Sequence, residues 1–172
     1  MDRSRMGLVG GNFSTRVGSE GKEQASSNVI SLPLARRKHS ALIVEDDMTS
    51  IYVLDLALRQ TGLFAHLDWA TSAEEAMSYI GKRMRSGRRL PYDLVIIDIF
   101  LDGVRTGVDL WQFLNESNVQ NMPVIMTSGI SEDRFTQLMG RYSIMPKFLK
   151  KPFKMQSCIT AIEESLNKPV LQ

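Results

Sequence analysis

The sequence predicts a three-layer α/β domain, a five-stranded parallel sheet covered by helices on both faces. Three observations carry this reading. Leu94-Val95-Ile96-Ile97 is an unbroken aliphatic run between Pro91 and Gly103, the pattern of a strand buried on both faces. Ala41-Leu42-Ile43-Val44 and Pro123-Val124-Ile125-Met126 are runs of the same kind. Strand-type and helix-type segments also alternate five times along the chain, which implies parallel strands joined by right-handed crossovers.

Taken in order, residues 1–38 are rich in Gly, Ser and Asn with no sustained period, and are expected to be a disordered or weakly ordered basic extension. Pro33 argues against a strand in the short apolar patch 29–34. The domain is expected over 39–168, leaving 169–172 as a tail. After the first strand, Met48-Thr49-Ser50 offers an N-cap to a helix with Ile51, Leu54 and Leu58 on one face, stopping before Gly62. A second strand spans 64–70. Thr71 or Ser72 caps the next helix, whose first turn carries Glu74 and Glu75, as the helix dipole favours. The basic stretch from Lys82 to Arg89 reads as a solvated helix end and loop. The 94–97 strand precedes a helix from about Gly107 with Val108, Leu110, Trp111 and Leu114. The 123–126 strand runs into Thr127-Ser128-Gly129, and Ser131 to Met139 is a helix with Glu132 and Asp133 at its start. A short strand, Lys147 to Lys150, leads through Lys151-Pro152-Phe153 to a last helix carrying Met155, Ile159, Ile162 and Leu166.

Composition excludes several classes. With 43% hydrophobic and 23% charged residues the 172-residue chain has the make-up of a globular domain plus an extension. No apolar run reaches membrane-spanning length, and the N-terminus has no secretory h-region, so a cytoplasmic protein without membrane insertion is expected. One cysteine, Cys158, excludes an internal disulfide and is expected as a small buried side chain on a helix. His39 and His66 stand apart without Cys neighbours, against a zinc site. Residues 1–39 carry seven Lys/Arg against three Asp/Glu and the remainder fourteen against sixteen, so the expected domain lacks the basic face of a nucleic-acid binder. No G-x-G-x-x-G or Walker A pattern is present.

The polar groups at the strand ends point to chemistry. The first strand ends at Glu45-Asp46, the third at Asp98, the fourth at Ser128, and the fifth leads to Lys151. In a parallel sheet these meet beyond the carboxyl ends of the strands, where ligands bind. Asp98 alone reads equally well as a turn or cap residue. Three carboxylates converging there repel each other, a conflict that a hard cation such as Mg²⁺ resolves with oxygen ligands. A cation so held neutralises phosphoryl charge, Lys151 and Ser128 add a point charge and a hydroxyl, and an Asp carboxylate is itself a nucleophile toward phosphorus.

Four stretches together resemble the receiver domain of bacterial two-component response regulators. Leu42-Ile43-Val44-Glu45-Asp46-Asp47 is similar to its first strand and acidic pair, and Leu94 to Asp98 to its phosphoacceptor strand. Pro123 to Gly129 resembles its fourth strand, with the hydroxyl five places after the proline, which selects Ser128 over Thr127. Phe148-Leu149-Lys150-Lys151-Pro152-Phe153 resembles its aromatic-x-x-Lys-Pro-Phe signature, which selects Lys151 over Lys150. The resemblance implies a flavodoxin-like fold of strand order 2-1-3-4-5. It implies Mg²⁺ held by Glu45, Asp46, Asp98 and the backbone carbonyl of Phe100, and phosphorylation of Asp98 by a sensor histidine kinase or histidine phosphotransfer protein. Lys151 and Ser128 would assist, and Ser128 with Phe148 would form the switch that alters a surface of the fourth helix, fifth strand and fifth helix for a downstream protein target. By this reading the protein is a stand-alone signalling domain in a phosphorelay, not an enzyme, with no output domain after it and homodimerisation left open.

Two rival functions fit these residues less well. A haloacid-dehalogenase-type phosphatase needs Asp-x-Asp after its first strand, but Glu45 takes the nucleophile's place there, and Phe100 stands two after Asp98. A receiver-fold binding module that is never phosphorylated would not need the full set of site residues. Asp102, where the family often has proline, is expected as a turn residue beside Gly103. Phe100 and Ile130, each two residues beyond a site group, are bulky and apolar, which predicts slow self-dephosphorylation.

Overall fold

Strand and helix alternate along the chain as the sequence predicts. The computed structural model describes residues 38–86, 90–117, 119 and 122–167. The elements are β1 (His39–Val44), α1 (Met48–Gln60), β2 (Phe64–Ala70), α2 (Ala73–Arg85), β3 (Leu94–Asp98), α3 (Gly107–Glu116), β4 (Val124–Ser128), α4 (Glu132–Met139), β5 (Lys147–Lys150) and α5 (Met155–Leu166). Apart from Lys38, the extension expected over 1–38 lies outside the described residues, as do the 169–172 tail and 87–89 of the basic loop.

All five strands are parallel, in the order β2-β1-β3-β4-β5. Alternation along each strand divides the core into two layers. Ala41, Ile43, Leu94, Ile96 and Ile125 pack against α1 and α5, where Leu54, Leu58, Cys158 and Ile162 meet them. Leu42, Val44, Val95, Ile97 and Met126 pack on the opposite face against α2, α3 and α4. Every residue of β3 is buried, as expected for the strand at the centre of the sheet. Each fully buried Leu, Ile or Val contributes about 1.5–3 kcal/mol of transfer free energy, so these two layers supply most of the drive to fold.

The helix starts follow local chemistry, with one correction. The cap of α1 is Asp47, not Thr49 or Ser50: its carboxylate accepts from Thr49 N, Ser50 N and Ser50 Oγ. One carboxylate satisfies two orphan N–H groups from the position just before the helix, which pulls Thr49 and Ser50 into the first turn. Those hydrogen bonds, led by the one from the Ser50 hydroxyl, hold the Asp47 carboxyl below its usual range. Ser72, Thr106 and Ser131 cap α2, α3 and α4, and Thr106 forms a capping box with Asp109. The basic end of α2 is less solvated than expected. Arg83 donates to Asp68 Oδ2 at 2.8 Å and lies 4.3 Å over the ring of buried Tyr92, tying α2 to β2 and to the entry of β3.

One glycine fixes where β3 ends. A Cβ on Gly107, the first residue of α3, would lie 1.8 Å from the backbone oxygen of Asp98. Gly107 N also donates to Ile99 O at 3.0 Å, closing the loop between β3 and α3. Replacing it forces backbone apart at the end of the central strand. Gly107→Ala is expected to lower the unfolding free energy by about 3 kcal/mol or more, read as a drop in the urea midpoint. A midpoint equal to that of the native chain would show that the loop gives way freely.

Candidate functional site

The site forms just beyond the carboxyl ends of β1, β3 and β5. Glu45 follows β1, Asp98 closes β3 and Lys151 follows β5. Because β1 and β3 pair with Val44 opposite Ile97, the next residues, Glu45 and Asp98, come side by side. Lys151 is anchored through its backbone, whose N–H donates to Ser128 O at 2.8 Å, and its side chain reaches in from the far edge of the sheet. Its Nζ donates to Asp98 Oδ2 at 2.6 Å and makes an equally short ion pair with Glu45 Oε2, also 2.6 Å, without the alignment of a hydrogen bond. The Glu45 and Asp98 side chains are only 1% and 8% exposed. Two buried carboxylates this close are tolerated because one ammonium neutralises between them.

Burial pushes the Glu45 carboxyl up to about 7; Lys151 and the Asp47 N–H favour the charged form, and the neighbouring Asp98 opposes it. Burial alone would pull Lys151 down, but its contacts with Asp98 and Glu45 outweigh that and hold it above the usual lysine value. Asp46 completes the acidic group: oxygens of Glu45, Asp46 and Asp98 all lie within 4.8 Å of one another. Asp46 Oδ2 accepts from Asp102 N at 3.1 Å, and Asp98 Oδ1 from Phe100 N at 3.2 Å, so the loop after β3 folds over the carboxylates. Asp102 is exposed in that turn, beside Gly103 at a φ of 138°. Carboxylate oxygens in this number and spacing suit a hard divalent cation, which prefers oxygen to nitrogen or sulfur.

The structure thus brings Glu45, Asp46, Asp98 and Lys151 together and places the others around them. Ser128 is buried at the end of β4, its hydroxyl accepting from Ile130 N at 3.4 Å. Phe148 points to the opposite face of the sheet, half-buried and stacked on Phe135 of α4 with ring centroids 4.4 Å apart and planes 15° apart. The Phe100 side chain is 61% exposed.

The response regulator receiver domain model matches residues 41–163. The chain belongs to this family. Solved structures agree with it. A putative response regulator from Chloroflexus aurantiacus is 26% identical with a TM-score of 0.61, the match covering 77% of this chain and all of that one, 100%. The receiver domain of NtrX from Brucella abortus is 25% identical with a TM-score of 0.62, over 75% of this chain and 99% of that one. A longer NtrX chain, 24% identical with a TM-score of 0.62 over 76% of this chain, is matched over only 27% of its own length. Chemotaxis protein CheY4 of Vibrio cholerae, at 18% identity and a TM-score of 0.61 over 76% of this chain and 100% of that one, shares the fold. No curated protein sequence matches the chain. The domain is therefore a response regulator receiver, a module of two-component signalling, with the flavodoxin-like strand order expected for one. Among the described residues no helix is long and apolar enough to cross a membrane.

One group in the receiver site escaped sequence reasoning. Thr127 is fully buried and its Oγ1 has no hydrogen-bond partner. A buried hydroxyl left unpaired costs about 1–3 kcal/mol. The proline spacing that selected Ser128 directed attention away from it, although its place two residues after Ile125 puts it on the Asp98 face of the sheet.

The raised Glu45 value has a signed consequence. Unfolded, this carboxyl titrates near 4.5; folded, near 7. Between those values the folded chain holds the extra proton, so stability falls as pH rises through that window. In metal-free buffer Glu45→Gln is expected to match the native chain near pH 5 and to exceed it near pH 8, by on the order of 2 kcal/mol. Urea titrations at the two pH values check this; a gap that does not grow with pH would refute it.

Proposed function

We propose that the domain is a phosphoacceptor switch whose modified residue is Asp98. The observation that carries this is the placement of Asp98: a buried carboxylate at the end of the central strand, bridged by Lys151 and grouped with Glu45 and Asp46. In the proposed step a carboxylate oxygen of Asp98 attacks the phosphorus of a phosphohistidine on a sensor kinase or phosphotransfer protein. The phosphorus–nitrogen bond breaks, the imidazole leaves with the electron pair and takes a proton, and an aspartyl phosphate remains. Lys151, already at 2.6 Å, offsets charge on the transferred group. Glu45, Asp46, Asp98 and the Phe100 backbone carbonyl would hold Mg²⁺, which supplies further neutralisation of the phosphoryl oxygens. The domain modifies itself once per donor and is no multiple-turnover enzyme.

The readout is a two-state packing change. The Ser128 hydroxyl leaves Ile130 N for the phosphoryl group, and the Phe148 ring slides from Phe135 into the space this opens. The surface of α4, β5 and α5 then differs for a downstream protein.

Incubation with Mg²⁺ and acetyl phosphate, followed by mass spectrometry of the intact chain, is expected to show one added phosphoryl group on the native protein and none on Asp98→Asn. A native chain that stays unmodified, or a variant modified equally, overturns the reading.

Neither Phe100 nor half-buried Ile130 has a side chain that could hold or deprotonate an attacking water. The aspartyl phosphate should therefore be long-lived. Phe100→Asn combined with Ile130→Glu is expected to speed its decay about ten-fold or more, because a carboxylate there acts as general base. Unchanged decay would separate lifetime from these two positions.

A further inference from the structure

The sheet has two outer strands, β2 and β5, and they are built differently. β5 is four residues long and carries Lys147 and Lys150, the shortness and charge that keep an edge from pairing with another strand. β2 runs seven residues, from Phe64 to Ala70, with neither lysine nor proline, and its Trp69 is 43% exposed. Ala70 O accepts from Glu45 N on the β1 side, so alternation turns the backbone N–H and C=O of Leu67 and Trp69 to the open side. Among the described residues nothing bonds them.

This strand is complementary to itself. When two copies pair antiparallel about a two-fold axis through Leu67, each Leu67 faces the other and the two exchange N–H and C=O. His66 then faces the second copy's Asp68, and Trp69 faces the small Ala65 at the margin of the paired stretch, where the register with β1 skips a residue. His66 and Asp68 both project to the α2 side of the sheet, because Asp68 lies opposite Leu42 of that layer. They occupy the non-hydrogen-bonded position, where side chains on facing strands come closest. Arg83 at 2.8 Å and the Tyr92 hydroxyl at 2.7 Å both donate to Asp68 Oδ2. They hold the carboxylate in place and leave Oδ1 without a partner among the described residues, ready to accept from an imidazole N–H of the exposed His66. Moving the axis by one residue sets Asp68 against Asp68 or His66 against His66, and the opposite-charge pairing is lost.

We propose that the β2 edge is a homodimer interface, at which two copies join their five-stranded sheets antiparallel about Leu67 into one continuous sheet. The joint lies at the edge opposite β5. The strands of the two copies run in opposite directions, so the two Asp98 sites open at opposite ends, and both surfaces of α4, β5 and α5 stay free. The dimer therefore forms without phosphorylation of Asp98. Its small contact makes it concentration-dependent, with a Kd on the order of micromolar.

The test is sedimentation of the full chain at concentrations up to on the order of 100 µM, as wild type, His66→Asp and His66→Lys. Wild type is expected to pass from monomer to dimer over this range. His66→Asp sets two Asp–Asp contacts across the joint and is expected to weaken the dimer about ten-fold or more, whereas His66→Lys keeps opposite charges and stays within about three-fold of wild type. Oxidative cross-linking then reads the register. Leu67→Cys puts two thiols on the axis, about 5.5 Å apart at Cα and within disulfide reach. Trp69→Cys leaves them about 14 Å apart, four residues out of step. The native Cys158 is fully buried and stays out of the reaction. Leu67→Cys is expected to cross-link and Trp69→Cys not to. A wild type that stays monomeric overturns the proposal, as does a dimer that His66→Asp leaves intact or that His66→Asp and His66→Lys weaken equally. A dimer in which Leu67→Cys fails to cross-link, or Trp69→Cys does so as readily, places the contact on another face and also overturns it. Uptake of a phosphoryl group from acetyl phosphate is read separately, so neither reading falls with the other.

Discussion

The Lys151 ammonium is the one group on which the arrangement of the site depends. Parallel strand order brings Glu45 and Asp98 side by side whether or not their charges allow it. At that separation and burial two carboxylates oppose each other, and neither is close enough to solvent to be screened. Lys151 turns the conflict into a bridge, at 2.6 Å from each. The bridge spans nearly the whole sheet, since the lysine follows β5 and the carboxylates follow β1 and β3. It also couples the site to the edge strand, because Lys151 N is held by Ser128 O, the carbonyl of the residue that ends β4.

That coupling requires a rigid frame beneath it, and the frame is backbone. Ile99 N donates to Thr127 O, and Gly107 N donates to Ile99 O, so β4, the turn after β3 and the first residue of α3 form one hydrogen-bonded chain. Gly107 has no side chain because the Asp98 carbonyl occupies that space. The capping box of Thr106 and Asp109 then fixes the helix that starts there. Asp98 thus stands on elements tied together by backbone hydrogen bonds, the support that precise placement of a site carboxylate needs.

Much of this is legible in the sequence, for physical reasons. The run Leu94 to Ile97, bounded by Pro91 and Gly103, reads as a strand buried on both faces, and five alternations of strand and helix leave few topologies other than a doubly wound sheet. Once the sheet is parallel, residues following its strands must meet, so Glu45, Asp98 and Lys151 could be grouped although they are distant in sequence. What stayed hidden depends on atoms that local pattern does not fix. The choice of Asp47 over Thr49 as cap turns on which oxygen reaches two N–H groups. Arg83 reads as solvated by composition, yet it packs on Tyr92 because β2 happens to present Asp68 beside it. Thr127 carries no motif; only register reveals what faces it.

The unbalanced groups of the site share one direction. Burial raises the Glu45 carboxyl to about 7, so its ionised form costs stability, and the Thr127 hydroxyl is buried without a partner. A site selected for stability alone would carry neither: a glutamine at 45 and a valine at 127 fill the same space without the cost. A cation held by Glu45, Asp46 and Asp98 would offset the excess of carboxylate oxygen. The domain therefore carries its unfavourable terms beyond the carboxyl ends of its central strands, where a bound cation or an added group would act on them directly.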